Sequence, residues 1–210
     1  MRLLTVTAVA VAGLALSAGP AVSAAQGPGA RWNLNERAGS TVAHDSVGSP
    51  NHGAIRPGAR IGGGVVNFTG GKPIRVRNGL ELNPRNRNFT AEVRVKFAKP
   101  GEYNLLQKGQ SGSHGYKIDI TGRDVYCVIK DRQSKTRRTL WGNGWHTIGC
   151  RKQGNRHWLI IDGKRAGYIA ATPSGPVTND KPVFIGGKEY CSPDCDRFVG
   201  QMDWARITYS

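Results

Sequence analysis

The run Phe89-Thr-Ala-Glu-Val-Arg-Val-Lys-Phe97 alternates without a break: Ala91, Val93, Val95 and Phe97 fall on one face, Glu92, Arg94 and Lys96 on the other. A period of two places successive side chains on opposite sides of an extended chain, so this stretch reads as a half-buried strand. The pattern continues outward to Lys164. After Pro100-Gly101 come YNLLQKG (103–109), a Gly/Ser loop, GYKIDITG (115–122) with Tyr116, Ile118 and Ile120 on one face, and DVYCVIKD (124–131) with Val125, Cys127 and Ile129 on one face. The segment NGWHTIGCRKQGNRHWLIIDGK (143–164) supplies two more strands around Gln153-Gly154-Asn155, where Gly and Asn accept the positive φ of a tight hairpin. Together these read as one long antiparallel meander, with residues 131–144 as a loop between neighbouring strands that carry Cys127 and Cys150. No window shows the 3.6-residue period of a helix.

Further out, short strand candidates lie at Trp32 to Leu34, Ile74 to Arg77, Lys181 to Lys188 and Gly200 to Tyr209. In the second of these, Ile74 and Val76 face one way and Arg75 and Arg77 the other. Many short strands and frequent Gly turns, with no helix longer than a turn, predict an all-β, two-sheet antiparallel sandwich or jelly roll.

The N-terminus has a different character. Met1-Arg2, the apolar stretch Leu3 to Leu16 and the small-residue run Ala18 to Ala25 have the three regions of a secretory signal. The apolar part is too short to span a bilayer, and no other apolar run approaches about 18 residues. The expected organisation is a signal peptide at 1–25, a short linker at 26–30 and one domain at 31–210. The expected product is secreted, extracellular or associated with the cell wall.

Thirty Lys and Arg against 14 Asp and Glu give a formal charge of +16, of which the signal segment carries only Arg2. Such a charge bears on solubility and on the choice of partners rather than on fold. The four cysteines of an exported chain are expected to be bridged, in one of three pairings. The inward phase of Cys127 and Cys150 favours their union inside the sandwich, which leaves Cys191 and Cys195 to close a surface loop around Ser-Pro-Asp. Zinc is disfavoured, because the spacing lacks two C-x-x-C knuckles.

An ordered set of short motifs resembles the laminin G-like (LamG) domain of the concanavalin A-like lectin/glucanase superfamily. The set is Trp32, Asn35-Glu36, Gly39-Ser40, Asp45-Ser46-Val47-Gly48, Asn67-Phe68-Thr69-Gly70, Phe89-Thr90-Ala91-Glu92, Gln107-Lys108-Gly109, Trp145-His146-Thr147-Ile148, Ile161-Asp162-Gly163, Ile185-Gly186-Gly187 and Phe198-Val199-Gly200-Gln201-Met202-Asp203. It covers essentially all of residues 31 to 210. The resemblance implies two face-to-face antiparallel sheets with the first and last strands adjacent. It also implies calcium as a cofactor, with Asp45 and Asp203 at positions where the family pattern has acids.

The fold does not by itself select a function. The superfamily's glucanases need two nearby carboxylates, and no Glu-x-Asp-x-x-Glu occurs here, so hydrolysis is disfavoured. A lyase acting on acidic polysaccharide needs a cation and a proton carrier, for which Arg94, His146 and Tyr116 are candidates that no motif connects. His146, at the start of a strand, is otherwise a packing residue. The expectation is therefore a secreted, non-catalytic binding module for carbohydrate or an acidic polysaccharide, with the lyase as alternative. Outward Arg75, Arg77, Arg94 and Lys96 are the candidate partners for carboxylate, sulfate or phosphate, and Trp141 and Tyr190 the candidate platforms for sugar rings. Nucleic acid enters only through shared electrostatics, since no nucleic-acid module is present.

Overall fold

The computed structural model describes residues 29–48, 50–109, 112–142, 144–189, 191 and 195–210. The predicted signal peptide, Tyr190 and the Ser-Pro-Asp stretch between Cys191 and Cys195 lie outside the described residues. In chain order the strands are β1 (Ala30–Trp32), β2 (Val42–Ala43), β3 (Gly53–Ala54), β4 (Ala59–Gly62), β5 (Val65–Thr69), β6 (Ile74–Val76), β7 (Phe89–Phe97), β8 (Glu102–Lys108), β9 (Tyr116–Thr121), β10 (Asp124–Ile129), β11 (Arg132–Arg137), β12 (Trp145–Gln153), β13 (Arg156–Ile161), β14 (Lys164–Ala171), β15 (Val183–Ile185) and β16 (Val199–Tyr209). The one helical element among the described residues is a 3₁₀ turn at Leu80–Leu82, and no described helix is long and apolar enough to cross a membrane.

Two antiparallel sheets result. The first runs β14-β13-β12-β7-β16-β5-β4, with β1 also paired to β16; the second runs β11-β10-β9-β8-β15-β6-β3-β2. This is the predicted sandwich, and the first and last strands pair through Ala30↔Ile207 and Trp32↔Ala205. The strands' buried faces agree with the alternation: Ala91, Val93 and Val95 of β7 and Ile118, Ile120, Val125 and Ile129 of β9 and β10 are all within 1% of complete burial.

Three expectations are corrected. The stretch from 89 to 164 is not one meander, because β7, β12 and β13 belong to the first sheet and β8 to β11 to the second. Residues 132–137, read as loop, form edge strand β11, in which Ser134 alone is buried. An edge strand with one buried side chain carries no hydrophobic alternation to announce it. Cys127 of β10 and Cys150 of β12 are disulfide-bonded as expected, yet across the two sheets rather than between neighbouring strands. Their Cα atoms are 4.8 Å apart, well inside the ~10 Å usual between packed sheets. The sandwich is therefore pinched where its edges β11 and β14 meet.

At that seam Ser134 Oγ donates to the Tyr168 carbonyl and Leu159 N donates to Ser134 Oγ at 3.4 Å. Gly167, at φ 72°, lets the edges touch: a Cβ there would lie 2.2 Å from the Lys135 carbonyl oxygen. At the other end the sheets are tied by aromatic packing. Phe198 meets Phe97 of β7 at 5.5 Å and Tyr103 of β8 at 5.4 Å between ring centroids.

Candidate functional site

The outward residues of β12, β7 and β16 define the site. Once Val93, Val95, Ile148 and Cys150 are committed to the core, the pleat obliges Glu92, Arg94, Lys96, Trp145, Thr147 and Arg151 to point to the outer face, where Glu92 is covered by its neighbours. The pairing register lines them up. Trp145 lies opposite Lys96 and Thr147 opposite Arg94, while Lys96 lies opposite Gln201 and Arg94 opposite Trp204. A bulge between Met202 and Trp204 of β16 places both Asp203 and Trp204 between buried Met202 and Ala205. The extra residue thereby leaves two consecutive side chains half-exposed.

Arginines interleave with the tryptophans. The Arg94 guanidinium lies 5.3 Å from the Trp145 ring centroid, and those of Arg206 and Arg31 lie 4.8 and 5.9 Å from that of Trp204. Two carboxylates fix the guanidinium groups. Arg94 Nη1 is 2.6 Å from Asp203 Oδ2, and Arg206 donates through Nε at 2.7 Å and Nη2 at 2.6 Å to Glu92 Oε2. Glu92 lies against Gly149, where a Cβ would come within 2.7 Å of its Cγ. Toward the β5 edge, Asn67, Lys96 and Gln201 line an open groove in which Gln201 Nε2 donates to Asn67 Oδ1 at 3.0 Å. In the other direction Trp158 of β13 stands opposite Arg151. Cations outnumber carboxylates here, and half-exposed indole rings lie between them. The face offers ring stacking, anion pairing and amide hydrogen bonds together.

Of the candidate ligand residues, Arg94 and Lys96 stand on this face. Arg75 lies on the outer face of the second sheet, its Nε 3.5 Å from Glu189 Oε2, and Arg77 is exposed just beyond β6. Trp141 is half-buried and packs in part against the core, away from this face. Tyr190 is outside the described residues.

Asp45 and Asp203 do not form a cation site. Asp45 is 5% exposed and accepts from Arg31 N at 2.9 Å, Val47 N at 3.3 Å and Asn51 Nδ2 at 3.4 Å, while Asp203 is paired with Arg94. No three His, Cys, Asp or Glu side chains converge for a metal ion among the described residues. The residues as placed do not fit calcium.

The lyase set is not assembled either. Tyr116 is buried in the second sheet, its Oη donating to the Leu82 carbonyl at 3.0 Å, and burial pushes its pKa well up. His146 faces inward and holds Asp162 Oδ2 at 2.9 Å through Nδ1, while Arg94 points out from the opposite side of its sheet. Burial alone would raise the Asp162 carboxyl, but hydrogen bonds from His146 and Thr147 N hold it below the usual carboxylate value. His146 with Asp162 is thus a structural pair.

Trp145, Trp158 and Trp204 are absent from the candidates that the sequence singled out. The signal was present for the first two: Trp145 is out of phase with Ile148 and Cys150, and Trp158 with Leu159 and Ile161. An aromatic in the polar phase of a strand is an outward aromatic. For Trp204 the bulge hides the phase.

Neither protein-family models nor curated proteins gave a match to this sequence. Solved structures did. The chain is similar to mouse laminin alpha1 chain domains LG4-5, with 18% identity and a TM-score of 0.53 over 65% of this chain and 38% of that one. It is similar to Trypanosoma rangeli sialidase, with 14% identity and a TM-score of 0.61 over 85% of this chain and 30% of that one. Domain 4 of the extracellular arabinanase AbnA from Geobacillus stearothermophilus, solved in complex with arabinotriose, matches with 14% identity and a TM-score of 0.51 over 90% of this chain and 85% of that one. The chain spans little more than a third of the laminin fragment and less than a third of the sialidase. At these identities the likeness shows the fold alone: a two-sheet sandwich like that of the laminin G domains.

Proposed function

We propose that this chain is a secreted, non-catalytic carbohydrate-binding module that takes an acidic polysaccharide across the outer face of its first sheet. The observation that carries the reading is the placement of Trp145 and Trp204 on either side of Arg94. With β7 between their strands and an offset of two residues along it, the two tryptophan positions are roughly 12 Å apart, within the span of a short run of sugar rings. Each indole supplies an apolar face for a pyranose. Arg94, Arg151 and Lys96 supply charge for a carboxylate or sulfate, and Asn67 and Gln201 supply amides for hydroxyls. A domain of this fold solved with a bound trisaccharide, two disulfides suited to an oxidising compartment and the N-terminal signal pattern support the same reading.

The test is titration of the mature domain against a panel of neutral and acidic glycans at rising salt. Trp145→Ala and Trp204→Ala should each weaken binding about tenfold, given ~1 kcal/mol or somewhat more per stacked ring, with no change in melting temperature. Full binding by the double variant would end the proposal for this face. Binding of neutral glycans that is insensitive to salt would leave a carbohydrate module but remove its preference for anions.

A further inference from the structure

The seam where β11 meets β14 is a second basic surface. It displays Arg123, Arg132, Lys135, Arg137, Arg138, Lys164 and Arg165, all exposed. Only Lys135 and Arg138 approach a carboxylate among the described residues, at 3.8 Å from Asp124 and 3.8 Å from Asp162. Arg132, Arg137, Lys164 and Arg165 make no ion pair among the described residues. The backbone beneath is rigid, held by the Cys127–Cys150 bridge, by Ser134 to Tyr168, and by buried His157, whose Nε2 lies 3.0 Å from the Arg132 carbonyl. Long cationic side chains thus project from a fixed edge instead of a mobile loop.

Their pitch is informative. Gln133, Lys135 and Arg137 lie opposite Val128, Tyr126 and Asp124, so all three share one face of β11 and repeat every second residue, about 7 Å. A phosphodiester polymer bridged by three carbons has six backbone bonds per repeat, as many as two peptide units, and extended it also advances about 7 Å per charge. Guanidinium forks, which dominate this edge, suit phosphate oxygens bidentately.

We infer that the β11–β14 seam binds an extended phosphodiester-linked polyanion, with successive phosphates at Lys135 and Arg137 and with Arg165 and Lys164 contacting it from across the seam. This surface does not depend on the tryptophan face. Poly(glycerol phosphate), single-stranded oligo-dT and polygalacturonate of matched charge are the probes, titrated against the mature, disulfide-bonded protein at several salt concentrations.

With Trp145 and Trp204 both replaced by Ala, so that the tryptophan face no longer contributes, either phosphodiester polymer should bind more tightly than polygalacturonate, and preference between the two identifies a polyol or a nucleic acid as the source of the phosphate. Lys135→Gln with Arg137→Gln should lower the slope of log affinity against log salt by about 1.4, roughly 0.7 for each phosphate no longer neutralised, and should leave the melting temperature unchanged. Trp145→Ala with Trp204→Ala should weaken polygalacturonate and leave slope and affinity for the phosphodiester polymers unchanged. Equal binding of polygalacturonate by the Trp145→Ala, Trp204→Ala variant, or a slope indifferent to the Gln substitutions, would overturn the inference.

Discussion

The Asp203 carboxylate holds the Arg94 guanidinium at 2.6 Å beside the Trp145 ring, so the central cation of the tryptophan face is already partly neutralised from within. Both side chains keep a quarter or more of their surface in solvent, 43% for Arg94 and 28% for Asp203. A pair so exposed contributes little to folding, about 0–1 kcal/mol. Its larger effect is competition with any anion that approaches Arg94. Asp203→Asn should therefore leave the melting temperature within a degree or two and tighten binding of an acidic glycan several-fold at low salt. Weaker binding by the variant would mean that the carboxylate orients Arg94 more than it competes for it.

The two disulfides should differ in effect. Cys127–Cys150 closes a sequence separation of 23 and joins fully buried positions of opposite sheets. Loop closure of that length contributes on the order of 3 kcal/mol. Replacing both cysteines with Ala should lower the melting temperature by on the order of 10 °C. Cys191–Cys195 spans a separation of four, and its removal should cost far less. Calorimetry of the two double variants decides the order, and a larger loss on removing the short bridge would contradict the chain-entropy account.

His157 should make the domain sensitive to acid. It is completely buried, with Nε2 3.0 Å from the Arg132 carbonyl and Nδ1 3.0 Å from Thr172 Oγ1. A carbonyl only accepts, so Nε2 carries the proton and Nδ1 accepts from the Thr172 hydroxyl. Burial pushes the imidazole pKa below its ordinary 6.5, against the opposing pull of the Arg132 carbonyl. In the unfolded chain it protonates near 6.5, so below that pH the unfolded state holds the extra proton. Stability is then complete above about pH 6.5 and falls as the pH drops below it, by at most about 1.4 kcal/mol per unit. His157→Asn should flatten the dependence of melting temperature on pH between about 6.5 and 5, whatever its absolute stability. An unchanged slope would assign the acid sensitivity elsewhere.

Lys108 is buried to 1% exposure and its ammonium donates to Asn78 Oδ1 and the Lys181 carbonyl, both at 2.7 Å, and to the Asn179 carbonyl at 3.4 Å. Burial draws its pKa down to about 8, so it remains charged at neutral pH. Lys108→Met should cost on the order of 3 kcal/mol, because it strands polar acceptors inside the protein. Chemical denaturation measures this, and a variant as stable as the parent would show that the ammonium's desolvation cancels its bonds.

Which way each strand faces is legible in the alternation of the chain itself. The pleat converts alternation into sidedness locally, and so Val93, Cys127, Ile148 and Cys150 all point inward as their phase requires. The bridge between Cys127 and Cys150 follows from the same rule. Alternation says nothing about lateral neighbours. Whether β8 continues the sheet of β7 or starts the facing one is set by hydrogen bonds between strands distant in sequence, and the run from 89 to 164 divides between both sheets. Edge strands β11 and β14 are silent in the sequence because so little of either is buried that no alternation of apolar side chains marks them. The tryptophan face lies beyond sequence for a related reason. Trp145 and Trp204 stand 59 residues apart, and only the choice of β7 as a shared neighbour, with the bulge at Asp203, sets both beside Arg94.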